Sequence, residues 1–284
     1  MFVLSLSASV NAQQTFNDIT VRNWLRLEPN PVTGSSFKLE SNGSLLSILP
    51  FGSFGQSLLG SGSFPEGMLM LWDPGKLAFR ASYVHPTFQI GEGSAAFGWA
   101  VADGQYSFAA VGGMAAGDGS TAFGVGYAVG YMSFAVGDMT YANGYWSLAG
   151  GFYSQADGDY SMAVGYGAVS HGSASLAGGD QTLAGAYASM AIGRFNGGNY
   201  FVSNDGDASN DGDKVWIDTD PVFEVGNGTP ATAQTGWQPV RSNALTVFKN
   251  GNVTVGGVIT VGGGIRVLQP AGDLSMGEFT ASPP

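Results

Sequence analysis

Between residues 91 and 195 the chain alternates small and bulky side chains in short runs, which glycine interrupts at regular intervals. Within most runs Ser, Ala and Gly occupy positions i, i+2 and i+4, and large apolar residues occupy the positions between them. This alternation predicts a short β-strand with one face of small residues and one face of bulky apolar residues. An A-x-G phrase follows most runs and predicts a second, shorter strand, with glycine at the tight corners between the two.

The runs recur at a nearly constant interval along the chain, in steps of 13 and then of 14. Glycine opens seven repeats and alanine opens the eighth, at Gly91, Gly104, Gly117, Gly130, Gly144, Gly158, Gly172 and Ala186. So short a period does not fit helical repeats or propeller blades, but it matches one turn of a β-solenoid made of two strands and two corners. The sequence therefore predicts an all-β fold, a parallel β-roll with rungs of 13–14 residues, flanked by small β-rich regions.

Five serines and five glycines of the longer strand are predicted to be structural, because each returns to the same place in successive rungs. They are Ser133, Gly137, Ser147, Gly151, Ser161, Gly165, Ser175, Gly179, Ser189 and Gly193. We expect the bulky face of the strands to fill the interior of the roll and the small face to allow close approach of a neighbouring chain. Since both faces are largely uncharged, one of them leaves a broad uncharged surface exposed, which predicts self-association.

Three of the runs resemble the repeats of a known family. S-F-A-V-G at Ser133–Gly137, S-M-A-V-G at Ser161–Gly165 and S-M-A-I-G at Ser189–Gly193 are similar to the S-V-A-I-G repeats in the head domain of YadA-like trimeric autotransporter adhesins. The resemblance covers about residues 91–195 and implies a left-handed β-roll, a homotrimer and a place on the bacterial surface, where family members bind host matrix or other surfaces. The N-S-V-A-I-G form associated with matrix binding is not present, so the resemblance does not imply collagen binding.

The segments outside the repeat differ from it in character. Residues 1–12 resemble the remains of a secretory signal peptide, which predicts a secreted or cell-surface protein, and residues 13–90 alternate apolar stretches with turn signals, which predicts a β-rich N-terminal cap. Residues 196–240 are an Asp- and Gly-rich irregular insert, residues 241–264 a β-strand segment and residues 265–284 a tail. Part of the strand segment is similar to segments that follow head repeats in bacterial surface proteins and in trimeric phage tail fibres.

Composition narrows the chemistry that the chain can perform. The chain has no cysteine and two histidines, which leaves neither a disulfide framework nor a Cys/His zinc site. Its net charge of −11 argues against nucleic acid as a partner, because phosphate binding needs clustered Lys and Arg. No later segment has about 18 uninterrupted apolar residues, so we expect no membrane insertion by this chain.

Aromatic side chains recur at the corner before the repeated serine. The predicted aromatic ladder consists of Tyr131, Tyr145, Trp146, Tyr160 and Tyr187. Exposed rings on neighbouring rungs can stack on sugar rings or anchor a protein partner, so the ladder is a candidate site for a surface glycan or a matrix protein. The alternative is that the same rings seal the contact between subunits.

Four aspartates of the insert alternate with small residues, and they are Asp205, Asp207, Asp211 and Asp213. Their spacing could place several oxygens around a calcium ion, the one cofactor that the sequence suggests. A solvated acidic turn is the favoured alternative. An EF-hand loop needs an acidic residue at its twelfth position, and counted from Asp205 that position is Trp216.

The sequence does not predict an enzyme. The serines form a repeating column, and His85 and His171 lie in different regions, so no Ser/His/Asp triad is indicated. Asp157 and Asp159 are a pair of carboxylates, but they lie at one corner with no evident cleft. We therefore expect a non-enzymatic surface-adhesion or fibre head; a purely structural spacer of a tail-fibre-like or envelope assembly is the main alternative, followed by an ice-binding rod and a glycan hydrolase.

Overall fold

The computed structural model describes residues 24–27, 36–40, 45–49, 67–73, 75–84, 89–198, 214–236 and 238–260. The predicted signal remnant, the predicted tail and the four aspartates of the predicted calcium site lie outside the described residues. Within these ranges the regular elements are β-strands, apart from one 3-10 helix at Ala233–Thr235.

Five strands precede the repeat. They are β1 (Trp24–Leu27), β2 (Ser36–Glu40), β3 (Leu45–Leu49), β4 (Gly67–Asp73) and β5 (Ala78–Val84). Each pairs antiparallel with the next along the chain, which gives a meander. The last of them, β5, also pairs parallel with the first strand of the repeat. The β-rich region expected before the repeat is confirmed, and it is joined to the roll through β5.

The repeat forms thirteen strands. They are β6 (Ala95–Gly98), β7 (Val101–Ala102), β8 (Phe108–Ala110), β9 (Met114–Ala115), β10 (Thr121–Ala128), β11 (Phe134–Ala142), β12 (Leu148–Phe152), β13 (Gln155–Ala156), β14 (Met162–Tyr166), β15 (Val169–Ser170), β16 (Leu176–Asp180), β17 (Leu183–Ala184) and β18 (Met190–Arg194). Each pairs parallel with the equivalent strand of the next rung, as in Ala122 with Ala135 and Ala163 with Ala177. The predicted fold class, an all-β parallel solenoid, is confirmed.

The strands form two walls joined by corners. The first wall contains β6, β8, β12, β14, β16, β18 and the beginnings of β10 and β11. The second wall contains β7, β9, β13, β15, β17 and the ends of β10 and β11. Residues that take the same place in successive rungs therefore lie in columns that run along the axis of the roll.

Three strands follow the repeat. They are β19 (Pro221–Asn227), β20 (Asn243–Phe248) and β21 (Val253–Val255). The first of these pairs parallel with β18 and adds one more rung to the first wall, although the residues between the two are not a repeat. The other two pair antiparallel in chain order and extend the sheet. The roll is thus flanked at both ends by antiparallel strands.

Alanine fills the interior of the roll. One column of the first wall contains only alanine through eight rungs, all of them buried: Ala96, Ala109, Ala122, Ala135, Ala149, Ala163, Ala177 and Ala191. The second wall contributes Ala102, Ala115, Ala128, Ala142, Ala156 and Ala184 to the same cluster. Methyl groups from two facing walls therefore make up most of the core.

The expectation that the bulky face fills the interior is wrong. Val136, Met162 and Val164 point outward and are 39%, 39% and 43% exposed, whereas the alanines between them are completely buried. The reason is the size of a turn. A rung this short, with several of its residues in corners, brings its two walls so close together that only methyl-sized side chains fit between them at normal packing density.

The repeated serines lie inside the roll, at the corner that precedes each strand of the first wall. We call this the first corner. Ser133, Ser147, Ser161, Ser175 and Ser189 are between 1% and 6% exposed. Their amides close the corner by donating to the carbonyl three residues earlier, as Ser133 N does to Gly130 O at 3.2 Å. Ser189 Oγ adds a second bond to the same kind of carbonyl, Ala186 O, at 2.7 Å. The backbone amides of this column therefore close the turn from one wall to the other, and the hydroxyls of Ser175 and Ser189 add a second bond.

A charged residue terminates the alanine column at each end. Arg80 in β5 pairs with Ala96, and Glu224 in β19 pairs with Ala191, so both occupy the interior position that alanine holds elsewhere. Arg80 is 3% exposed, and its Nη2 donates to Ser94 Oγ and to Ala102 O, both at 2.7 Å. Glu224 is 6% exposed and accepts from Asn196 Nδ2 at 2.7 Å and from Asn243 Nδ2. A hydrogen-bonded polar side chain thus closes the apolar core at each end.

Two neighbouring glycines of β16, Gly178 and Gly179, allow a test of how closely the rungs stack. Gly179 has φ +131°, and a Cβ there would lie 2.0 Å from Gly193 O of the next rung. A Cβ on Gly178 would meet only Leu176 Cδ2 at 3.7 Å and Ile192 Cγ2 at 3.9 Å. We predict that Gly179→Ala lowers the free energy of unfolding by about 3 kcal/mol or more, because backbone must move.

Gly178→Ala is the matched control and is expected to leave stability unchanged or to raise it by up to about 1 kcal/mol, because alanine restricts the unfolded chain. Denaturant unfolding followed by circular dichroism at one protein concentration measures both changes. Equal effects of the two substitutions would contradict the stacked arrangement of β16.

Candidate binding surfaces

One strip of the outer surface of the first wall consists of apolar residues, with Thr121 as its one hydroxyl-bearing member. It consists of two columns, which we call the apolar face: Phe79, Ala95, Phe108, Thr121, Phe134, Leu148, Met162, Leu176, Met190 and Phe223 in one, and Ala81, Phe97, Ala110, Phe123, Val136, Gly150, Val164, Gly178, Ile192 and Val225 in the other. Neither column contains a charged residue. Ten rungs at about 4.8 Å each make the face roughly 45 Å long.

Aromatic rings make the N-terminal half of the apolar face continuous. Phe79, Phe97, Phe108, Phe123 and Phe134 follow one another with ring centroids 5.3 to 6.3 Å apart. The C-terminal half continues with aliphatic side chains such as Met190, which is 40% exposed. An exposed strip of apolar side chains of this length is typical of a contact with another molecule.

The predicted aromatic ladder divides into two parts. Tyr131 packs edge-on against Tyr145 and Trp146, with centroids 6.4 and 6.2 Å apart, and Tyr160 follows on the next rung, where its amide donates to Tyr145 O at 2.7 Å. Trp146 and Tyr160 have φ of +57° and +60°, a conformation that side-chain-bearing residues rarely adopt. All four residues are exposed.

Tyr187 lies apart from the other four residues of the ladder. Asp159 and Ser173 occupy the two rungs between Tyr145 and Tyr187 in the same corner column. The ring of Tyr187 lies 5.9 Å from Lys249 Nζ, which is also 5.0 Å from the ring of Trp216. The structure therefore brings Tyr131, Tyr145, Trp146 and Tyr160 to neighbouring rungs and places Tyr187 against the C-terminal strands.

Sequence analysis missed a second aromatic surface, at the opposite end of the first-wall strands. Phe152 and Tyr166 are stacked, with centroids 5.5 Å apart and planes at 17°, and Tyr153 packs edge-on against Phe152 at 4.4 Å. We call these three residues the aromatic rim. The signal was present in the sequence, because each residue comes one or two positions after the last glycine of a run, but it appears only when the runs are aligned at that glycine.

Asp157 and Asp159, the pair considered for glycoside hydrolysis, take part in corner hydrogen bonds. Asp157 accepts from Asn143 Nδ2 and from Gln155 Nε2, both at 2.7 Å, and lies 2.8 Å from His171 Nδ1. Burial alone would raise the pKa of Asp157, but these hydrogen bonds outweigh it and hold the pKa below its ordinary value. Asp159 Oδ1 accepts from Tyr145 N at 2.9 Å.

The polar groups at the C-terminal end of the roll are also engaged with one another. A cavity of about 260 Å³ lies beside Glu224 and is lined in part by Ala186, Asp220 and Asn243. Burial raises the pKa of Glu224, an effect that the bonds from the two asparagine amides only partly offset. Asp220 Oδ2 lies 3.3 Å from Lys249 Nζ. Among the described residues there is no cluster of three or more His, Cys, Asp or Glu side chains that could hold a metal ion.

The sequence matches no protein-family model, and a search of curated proteins gave no match either. No helix in the described ranges is long and apolar enough to cross a membrane.

Asp103, near the N-terminal end of the roll, gives a prediction for pH dependence. Burial raises its pKa from 3.8 to about 6, although Arg80 acts in the opposite direction, and its Oδ1 is buried without a hydrogen-bond partner in the described structure. Burial likewise lowers the pKa of Arg80 to about 10. A raised carboxyl pKa means that the folded state binds the proton more tightly than the unfolded state.

We predict that this group favours folding fully below about pH 4 and that its contribution is lost as pH rises through about 6. Asp103→Asn should remove that slope. Wild type and variant should therefore diverge by roughly 1 kcal/mol between pH 4 and pH 7, a reduced value because the carboxyl is only half-buried. Thermal melts of both proteins across this range measure the difference, and parallel curves would contradict the assignment.

Proposed function

We propose that this chain is a non-enzymatic surface-adhesion or fibre head that assembles as a homotrimer and presents a binding surface to a glycan or a matrix protein. The observation that carries the proposal is the apolar face, which has twenty positions in register and no charge among them. The resemblance of the repeats to YadA-like heads supports the trimer and a bacterial surface or secreted location.

The shape of the apolar face favours another copy of this chain as its partner. A strip about 45 Å long favours a partner whose surface is equally long and equally apolar. A second roll of the same sequence has these properties rung by rung. Burying such side chains against one another is favourable in proportion to the area removed from water, and the absence of charge means that no ion loses its hydration.

Assembly through the apolar face leaves the first corner as the candidate recognition surface. Tyr145, Trp146 and Tyr160 are 59%, 52% and 68% exposed, and rings of this kind stack on sugars or fill pockets of a protein partner. A purely structural spacer is the alternative, and it predicts the same assembly without a ligand.

The oligomeric state tests the role of the apolar face. We predict a trimer for the wild-type chain and loss of assembly for Val164→Glu, because a carboxylate in the middle of the face would be buried without a partner. Val129→Glu is the matched control, since Val129 is 51% exposed and lies outside the apolar face. Light scattering after size-exclusion chromatography measures the mass of each protein. A monomeric wild type at micromolar concentration would contradict the proposal.

Binding arrays test the recognition surface. The trimer should bind at least one saccharide or matrix protein on arrays of both, and Trp146→Ala together with Tyr145→Ala should weaken a contact made at the first corner by about tenfold. Binding to no ligand on either array by a trimeric protein would favour the spacer alternative.

A further inference from the structure

The aromatic rim lies in a column that has a distinct order of side chains. On four successive rungs the residue after the strand glycine is Asp138, Phe152, Tyr166 and Asp180. Two stacked rings are therefore bracketed by one carboxylate on each side. At about 4.8 Å per rung the two carboxylate positions are roughly 14 Å apart along the axis, with the rings between them.

The outward ring face of Tyr166 is open to a ligand. Phe152 and Tyr166 cover one face of each other, and in the described structure the only ring in contact with Tyr166 is Phe152. The next rung in the same column holds Asp180, which has no ring to cover the second face of Tyr166. Tyr166 is 51% exposed and Tyr153 is 49% exposed. A flat apolar surface thus lies beside a carboxylate.

The two bracketing carboxylates are not used by the fold. Asp118, Asp157 and Asp159, at the other corners, each accept at least one hydrogen bond within the roll. The side chains of Asp138 and Asp180 accept none from the described residues, although the backbone carbonyls of both accept bonds from the following rung. Unlike Asp118, Asp157 and Asp159, these two are therefore available to an external donor.

Charge separates the aromatic rim from the apolar face. Asp138 and Asp180 lie in the column next to the uncharged ones, and burying them without a partner in a contact between chains would be costly. The rim therefore lies at the border of the proposed trimer contact, where it is accessible to solvent.

We propose that the aromatic rim binds a neutral saccharide, an inference that rests on the proposed adhesive function. A sugar ring would pack its apolar face on Tyr166, and its hydroxyl groups would donate to the carboxylate of Asp180, with Phe152 and Asp138 offering the same pairing two rungs away. Carboxylates accept hydrogen bonds only, which suits hydroxyl donors. The net charge of −11 disfavours acidic sugars, although Arg194 holds the next position of this column after Asp180.

The test uses the full-length oligomer with cellohexaose and chitohexaose as neutral probes and a heparin hexasaccharide as the acidic one, in isothermal titration calorimetry. We expect at least one neutral probe to bind and heparin not to bind. Tyr166→Ala should weaken binding about tenfold, Tyr166→Phe should retain it, and Asp180→Asn should weaken it about three- to tenfold.

The matched controls are Tyr141→Ala, an exposed tyrosine of the second wall that stacks on Tyr127, and Glu92→Gln, an exposed carboxylate outside the column. Both should bind within about twofold of wild type. Unchanged thermal melts for Tyr166→Ala and Asp180→Asn exclude loss of fold as the cause of weaker binding.

Two results would overturn the inference: no binding of either neutral probe at about 10 mM, or equal binding by wild type and Tyr166→Ala. If the trimer still binds a matrix protein or a sugar through the first corner, the proposed function stands and only the rim assignment fails. If the protein is a monomer and binds nothing on the arrays, the proposed function itself is contradicted.

Discussion

Contact between the backbones of successive rungs is the constraint on which the rest of this structure depends. Corner and strand glycines lie so close to the next rung that a Cβ on Gly144 would fall 2.0 Å from Gly158 O, and one on Gly165 equally close to Gly179 O. Each rung can therefore approach the next along its whole circuit, which lets the parallel hydrogen bonds form in both walls. The small number of residues in each rung makes the roll thin. A thin roll accepts alanine inside and little else, so the large apolar side chains of the repeat have only the outside to occupy.

That consequence links the core to the surface. In most globular domains the bulky apolar residues form the core and the exterior is polar. Here the two roles are exchanged, because the interior is saturated with methyl groups while phenylalanine, methionine and valine form an exterior strip. The strip costs free energy in water as long as nothing covers it. The proposed assembly with identical chains would remove this cost, and Asp138 and Asp180 in the neighbouring column would restrict how far the contact extends on that side.

The sequence predicted the strands, their parallel pairing and their register, because a short and nearly strict period leaves one way to superimpose the runs. It could not predict which face is interior. Alternation in a strand is symmetrical, and the thickness of the roll, which decides the matter, depends on the distance between two walls. The residues that close the ends of the roll could not be predicted either, because Arg80 and Glu224 enter the alanine column from segments outside the repeat. For the binding surfaces, spacing located Tyr131, Tyr145, Trp146 and Tyr160, while Tyr187 and the aromatic rim depended on contacts between distant parts of the chain.

Because Arg80 and Glu224 close the alanine column at its two ends, the number of rungs between them can change. Every rung between Arg80 and Glu224 presents alanine at the same interior position of the first wall. Duplication or deletion of one complete unit would leave both terminal plugs with the neighbours they have now, and it would change the distance between them by about 4.8 Å. The length of such a roll can thus change in evolution through gain or loss of whole rungs, while the residues at either end stay the same.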